Sequence, residues 1–284
     1  MLTKLLPANV ATAEATTDPA DVFLYPEEEH LVRNAVPKRR LEFGTVRWCA
    51  RRAMGELGLP PAPVVPGRRG VPQWAPSVVG SMTHCAGFRG AALARSAEFA
   101  SVGVDAEPNA PMPEGVLDSI ALPRELDLIA ELERTAPGVA WDRLLFSIKE
   151  AVYKTWFPLT GQELDFTDAL VSVDPVRETF HARLLPDPET LSPAGPTVFD
   201  GRWSAERGVL LSAIAVPAGR LAAVGAPVRR SGRRPPPAPP AAGGPRAPPR
   251  RRSAGPGGGR GGWCPPPPPP ATRSASTCPP TGRC

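Results

Sequence analysis

Proline placement limits what this chain can fold into more than any other feature. From Ala226 onward the sequence holds 18 of its 40 prolines, including the run Pro265–Pro270, and shows no periodic apolar face. Such a stretch cannot bury enough apolar surface to offset the entropy of ordering it. Residues 226–284 are therefore expected to be a disordered Pro/Arg/Gly-rich tail with polyproline character in places. The fold must come from residues 1–225. There proline acts as punctuation. A helical pattern begins near Glu27, opened by Asp21 or Pro26, with Glu27, Glu28 and Glu29 in a first turn where negative charge suits the helix dipole. Pro37 divides that region in two. In the second helix Phe43, Val46, Ala50, Ala53 and Leu57 recur at steps of three or four, until Gly58 and Pro60–Pro61 stop it. Pro123 breaks a helix read over 117–133, and Pro158 with Gly161 ends one read over 140–156.

Short strand-like runs fill the intervals: SVVGSMTH, GAALARS and SVGVDAE in the first part, ALVSVD, TFHARLL and GVLLSAIAV in the second. The order helix, strands, helices, strands predicts an α+β chain built from two similar α/β-type halves. Their expected bounds are 21–108 and 109–225, after a loose, flexible lead-in at 1–20. No fixed-period repeat is visible. No run approaches the roughly 18 uninterrupted apolar residues of a membrane span. The N-terminal apolar run is short and broken by Pro7, unlike a secretory signal. A cytoplasmic protein without membrane contact is the expectation. Cys49 and Cys85 show no metal-ligand spacing and read as small reduced core residues.

The formal net charge of +5 belongs to the tail, which carries eleven arginines and no acidic residue. Without it the balance turns negative, so basic composition does not make this a nucleic-acid-binding protein as a whole. The phosphate-binding GxxxxGK[ST] loop, the dinucleotide GxGxxG turn, GxSxG and HExxH are all absent, and only three histidines are present.

What remains is a set of charged clusters. In VGVDAEP, Asp105 and Glu107 are two apart at the end of an apolar strand, so both carboxylates point to one face. Like charges placed this way repel unless a cation lies between them, and hard oxygen ligands suit Mg²⁺. A solvated strand end is the plainer alternative. In FSIKEAVYK, Glu150 and Lys154 are one helical turn apart, whereas Lys149 points about 100° away. Glu before Lys at this spacing is also the order of an ordinary surface ion pair. GSMTHC offers Ser81, Thr83 and His84 as donors for phosphate oxygens. Lys38, Arg39, Arg40, Arg47, Arg51 and Arg52 form a basic cluster, with Arg40, Arg47 and Arg51 on one helical stripe; a solvated face would look the same.

The order of these pieces resembles the 4′-phosphopantetheinyl transferases, in particular the larger, roughly double-length type. That family's signature joins a GxD strand, a spacer of about forty residues and a [FW]-x-x-KE-x-x-x-K helix, matched here by Gly103–Asp105 and Phe146–Lys154. KRRLEFGTVRWCARRAM, GSMTHCAGFRGA, WDRLLFSIKEAVYKTWFPLT and GRWSAERG look especially like actinobacterial members. The resemblance implies two pseudo-twofold-related halves in a monomer, with coenzyme A and Mg²⁺ (or Mn²⁺) between them. It implies Asp105, Glu107 and Glu150 as metal ligands and Glu150, Asp105 and Lys154 as catalytic groups. By the same resemblance Arg39, Arg47 and His84 hold phosphates of coenzyme A, and Ser81, Met82 and Thr83 lie beside its nucleotide. Lys154, and with it Lys149, neutralises the pyrophosphate. Where relatives carry a lysine after PPAP, this chain has Arg68 and Arg69. The implied partners are apo acyl or peptidyl carrier proteins, docking on the spacer around Met112, Val116, Leu117 and Ile120, with no nucleic acid. Weaker alternatives are a Mg²⁺-dependent phosphohydrolase on the same carboxylates and a binding protein led by the basic tail.

Overall fold

The computed structural model describes residues 1–186, Leu191 and residues 195–219. The tail expected at 226–284 lies outside the described residues. In chain order the elements are β1 (Ala11–Ala15), α1 (Pro26–Val32), α2 (Pro37–Glu56), β2 (Val78–Cys85), β3 (Phe88–Arg95) and β4 (Phe99–Pro108). Then come α3 (Val116–Ile120), α4 (Pro123–Thr135), α5 (Trp141–Thr160), β5 (Ala169–Asp174), β6 (Thr179–Leu184), β7 (Val198–Glu206) and β8 (Val209–Pro217).

The strands make two antiparallel sheets, ordered β1-β3-β2 and β4-β8-β7-β6-β5. Each sheet carries one long helix. The small residues Cys49, Ala50 and Ala53 let α2 lie close on Ala91 and Leu93 of the first sheet. On the second, Leu144, Ile148, Val152 and Trp156 of α5 pack on Phe180, Phe199, Leu210 and Ile214. The helix runs through Pro158 and ends at Gly161, whose φ of 66° favours glycine.

β4 follows β3 in the chain yet pairs with β8, setting Asp105 opposite Ser212. It thus forms an edge of the second sheet, as β2 forms an edge of the first. Gly103 makes the next step possible. A Cβ at that position would collide with the Thr155 hydroxyl and the Ala151 carbonyl, so only glycine allows α5 this close to β4. The first residue of the GxD pattern therefore seats the helix that carries Glu150 and Lys154.

One expectation is corrected here, and two strands were not read from the sequence. Residues 1–20 are not a loose lead-in. Leu2, Leu5, Leu6 and Val10 are buried with Phe88, Val102, Val104 and Leu211, and Ala11–Ala15 pairs with β3. Burying each such leucine is worth about 1.5–3 kcal/mol. The strand ATAEA is poor in β-branched residues and gave no strand signal of its own. β7 was also missed, because its Asp200–Gly201 reads as a turn. The structure keeps Gly201 in the strand, where a Cβ would strike the Phe180 ring and the Ala213 carbonyl.

Candidate active site

Asp105 is the centre of the site. Its side chain is buried, and Oδ1 accepts from Lys154 Nζ at 2.6 Å and from Thr83 Oγ1 at 3.3 Å. Oδ2 is buried with no hydrogen-bond partner. A buried carboxylate oxygen without a donor is costly, which makes this atom the natural place for a cation. Burial opposes the charge on Lys154, but Asp105, Glu150 and Glu107 together outweigh it and raise its pKa.

The neighbouring carboxylates feel the crowding. Burial first, and then the charge of Asp105, pushes Glu107 up to about 7, although Arg143 draws it back. Arg143 Nη1 donates to Glu107 Oε2 at 3.2 Å. Burial also raises Glu150; Lys154 opposes the shift and Asp105 adds to it. Among the described residues no three His, Cys, Asp or Glu side chains already stand as a metal-binding group. Glu107 is turned to Arg143, and Lys154 neutralises Asp105. In donor chemistry, a bare carboxylate oxygen amid mutually repelling acids fits a hard divalent ion.

Arg143 was missed by sequence reasoning, though a signal existed. Arg143, Glu150 and Lys154 stand at offsets of 7 and 11, the same single-stripe spacing that grouped Arg40, Arg47 and Arg51.

On the side of the first sheet, Arg39 Nη1 lies 2.6 Å from His84 Nε2. Burial, then the charges of Arg39, Lys154 and Arg89, lowers His84 to about 4. The imidazole is therefore neutral at pH 7, with Nε2 accepting from Arg39 and Nδ1 3.9 Å from Glu42. Arg39 and His84 from the first half and Lys154 from the second thus bring an arginine, a histidine and a lysine to the site, chemistry suited to a phosphate beside a metal.

Two family models match the sequence. The 4′-phosphopantetheinyl transferase N-terminal domain matches residues 27–94, and the 4′-phosphopantetheinyl transferase superfamily matches residues 101–193. The chain belongs to the 4′-phosphopantetheinyl transferase family. It is 54% identical over 221 residues to the 4′-phosphopantetheinyl transferase Svp of Streptomyces mobaraensis, covering 77% of this chain and 90% of the relative. It is 48% identical over 223 residues to PptT of Mycobacterium tuberculosis, with 75% and 97% covered. It is 46% identical over 223 residues to Npt of Nocardia iowensis, with 76% and 99% covered. All three bear the name of this transferase, and the chain is an enzyme of that class.

Within a phosphopantetheinyl transferase site, five of the expected residues have other surroundings. Lys149 is corrected outright. It is buried, with Nζ donating to Glu125 Oε2 at 2.7 Å and to the carbonyls of Ile120 and Phe166, both at 2.8 Å. All three ammonium protons are engaged, so none is left for a pyrophosphate. Arg47 is buried over the Phe43 ring; Nε donates to Val64 O and Nη1 to Phe43 O, leaving Nη2 for any phosphate. Burial lowers its pKa to about 10, against the pull of Glu28. Ser81 and Thr83 turn their hydroxyls to β4. Arg68 lies over the Phe157 ring at 5.3 Å, beside a concavity of about 430 Å³ that Gly161, Glu163 and Asp168 also line.

Proposed function

We propose that this enzyme transfers the 4′-phosphopantetheine group of coenzyme A to a serine of apo acyl or peptidyl carrier proteins, with Mg²⁺ as its metal. The observation that carries the reading is the unpartnered Oδ2 of buried Asp105, with Lys154 on its other oxygen. Asp105, Glu107 and Glu150 would hold Mg²⁺, and Mn²⁺ suits the same oxygen set. Bound there, the metal would neutralise charge on the pyrophosphate of coenzyme A. Lys154 exchanges its bond to Asp105 for a pyrophosphate oxygen and meets the charge that grows on the leaving group. Arg39 and His84, with Arg47 behind them, hold the 3′-phosphate.

In the transfer, the serine Oγ bonds to the pantetheine-side phosphorus as the bond from that phosphorus to the bridging oxygen breaks. Adenosine 3′,5′-bisphosphate leaves, and the serine proton passes to Glu150 directly or through a water. Burial raises the pKa of Glu150 while no metal is bound, and a cation on the same carboxylate would draw it back down. Positioning and charge neutralisation supply the remainder of the catalysis.

Incubation of a panel of apo carrier proteins with coenzyme A and Mg²⁺ tests this by mass spectrometry. The expected result is a carrier heavier by one phosphopantetheine. Folded enzyme that modifies none of the panel would overturn the reading. Release of adenosine 3′,5′-bisphosphate without any carrier would favour a phosphohydrolase on the same carboxylates.

A further inference from the structure

The two sheets meet at β2 and β4, and their meeting is unusual in kind. Neither strand has a ladder partner on that side. Side-chain hydroxyls of β2 stand in for a ladder. Ala106 N donates to Thr83 Oγ1 at 2.9 Å, and Ser81 Oγ donates to Val104 O at 3.5 Å. Both hydroxyl-bearing residues are buried. Thr83 has one proton to give, and it goes to Asp105 Oδ1 at 3.3 Å. One hydroxyl therefore bridges the backbone of β4 and the carboxylate one residue before that backbone N–H.

We propose that Thr83 is a positioning residue that presents Asp105 Oδ2 to the metal, and not a contact for the nucleotide. The proposal rests on the reading of Asp105 as a metal ligand. Two donors, Lys154 and Thr83, hold the same oxygen, and Oδ2 is left bare. Once Lys154 turns to the pyrophosphate, Thr83 is the remaining side-chain donor on Oδ1. A β-branched side chain suits the task, because its χ1 is restricted and its hydroxyl is fixed from β4 by Ala106 N. Ser81 bonds only to the backbone of β4 and serves the seam without touching the carboxylate.

Outer partners of this kind typically change metal affinity 10–100-fold when removed. The test is a Mn²⁺ titration followed by electron paramagnetic resonance, with coenzyme A present and no carrier, on wild type, Thr83→Val and Thr83→Ser. Thr83→Val is expected to weaken Mn²⁺ binding about tenfold or more. Thr83→Ser, which keeps the hydroxyl, should restore most of that loss. At saturating Mn²⁺ the KM for coenzyme A should stay at the wild-type value in both. Wild-type Mn²⁺ affinity in Thr83→Val, or a defect seen only as a raised KM for coenzyme A, would overturn the proposal. Wild-type enzyme that binds no Mn²⁺ would instead remove the metal reading, and this proposal with it. If Thr83→Val does not fold, Thr83→Cys keeps the size, weakens the hydrogen bonds and takes the same readings.

Discussion

The two halves carry one device twice and use it for different ends. In each, a proline opens a helix whose third residue is a buried glutamate: Pro26 and Glu28 in α1, Pro123 and Glu125 in α4. Each carboxylate accepts the N–H of its own helix cap, Tyr25 at 3.0 Å or Leu122 at 2.8 Å. Each also accepts a backbone N–H from a distant segment, Val64 at 2.8 Å or Val171 at 2.7 Å. Each meets a cation from the long helix, Arg51 at 3.1 Å or Lys149 at 2.7 Å. That cation in turn donates to the carbonyl five residues before the glutamate, Phe23 at 2.6 Å or Ile120 at 2.8 Å. The halves diverge just beyond the shared cation. In α2 the following residue is Arg52, exposed and stacked on Trp48. In α5 it is Glu150, and Lys154 follows one turn later. The anchor ties the long helix to the short helix before it, and the stripe beside the anchor is where α5 carries the residues proposed for chemistry.

The largest expected effect separates those two stripes. Glu150→Gln should lower transfer by a factor on the order of 10²–10⁴, the usual range for a general base, while the melting temperature stays close to wild type. Arg52→Gln, one past the anchor in the other half, should change neither activity nor stability by more than about 0.5 kcal/mol. Near-normal turnover of Glu150→Gln would dissolve the distinction between the halves.

Next come the anchors themselves. Removing one partner of a buried ion pair typically costs about 3–5 kcal/mol. Lys149→Met should lose that much, because Glu125 then keeps only its two backbone donors. Arg51→Met should lose less, since Arg47 Nε remains 3.6 Å from Glu28. Urea unfolding of the two variants measures the difference directly. Equal losses would show that Arg47 does not share the charge of Glu28.

Much of this was legible in sequence because it depends on local spacing. The helix at 37–56, most of the helix at 141–160, the strand that ends in Asp105 and Glu107, and the shared face of Glu150 and Lys154 follow from periodicity and punctuation, but Pro158 reads as a stop and α5 runs through it. What escaped depends on long-range contact. Lys149 and Glu150 are adjacent, and no local rule says which faces the carboxylates and which faces Glu125. The cap, proline, glutamate and cation of the duplicated anchor recur 97 to 98 residues on (Pro26 to Pro123, Arg51 to Lys149), but of these only the proline and glutamate keep their identity, too little for a repeat to show in the sequence. The leucines at positions 2, 5 and 6 looked like a lead-in because their partners, Phe88 and Leu211, lie far along the chain. Thr83 drew notice as a phosphate donor, but only the meeting of two sheet edges shows where its proton goes.

The smallest effect is a contrast in pH dependence between one group from each side of the site. His84 has its pKa lowered from 6.5 to about 4, chiefly by burial and then by Arg39. Between those values the unfolded chain binds a proton that the folded chain refuses, so His84 makes stability fall as pH drops from 6.5 towards 4. Glu107 has its pKa raised from 4.5 to about 7, chiefly by burial and then by Asp105. In that window the folded chain binds a proton that the unfolded chain releases, so Glu107 makes stability fall as pH climbs from 4.5 towards 7. The slopes are opposite, and their windows overlap between pH 4.5 and 6.5, so in the metal-free wild type they largely cancel. His84→Gln should unmask the Glu107 slope, giving a protein that gains stability relative to wild type as pH drops from 6.5 to 4.5. Glu107→Gln should do the reverse and lose stability relative to wild type over the same interval. Melting temperatures across that range, without added metal, measure both. Parallel changes in the two variants would mean that the two groups do not titrate in opposition.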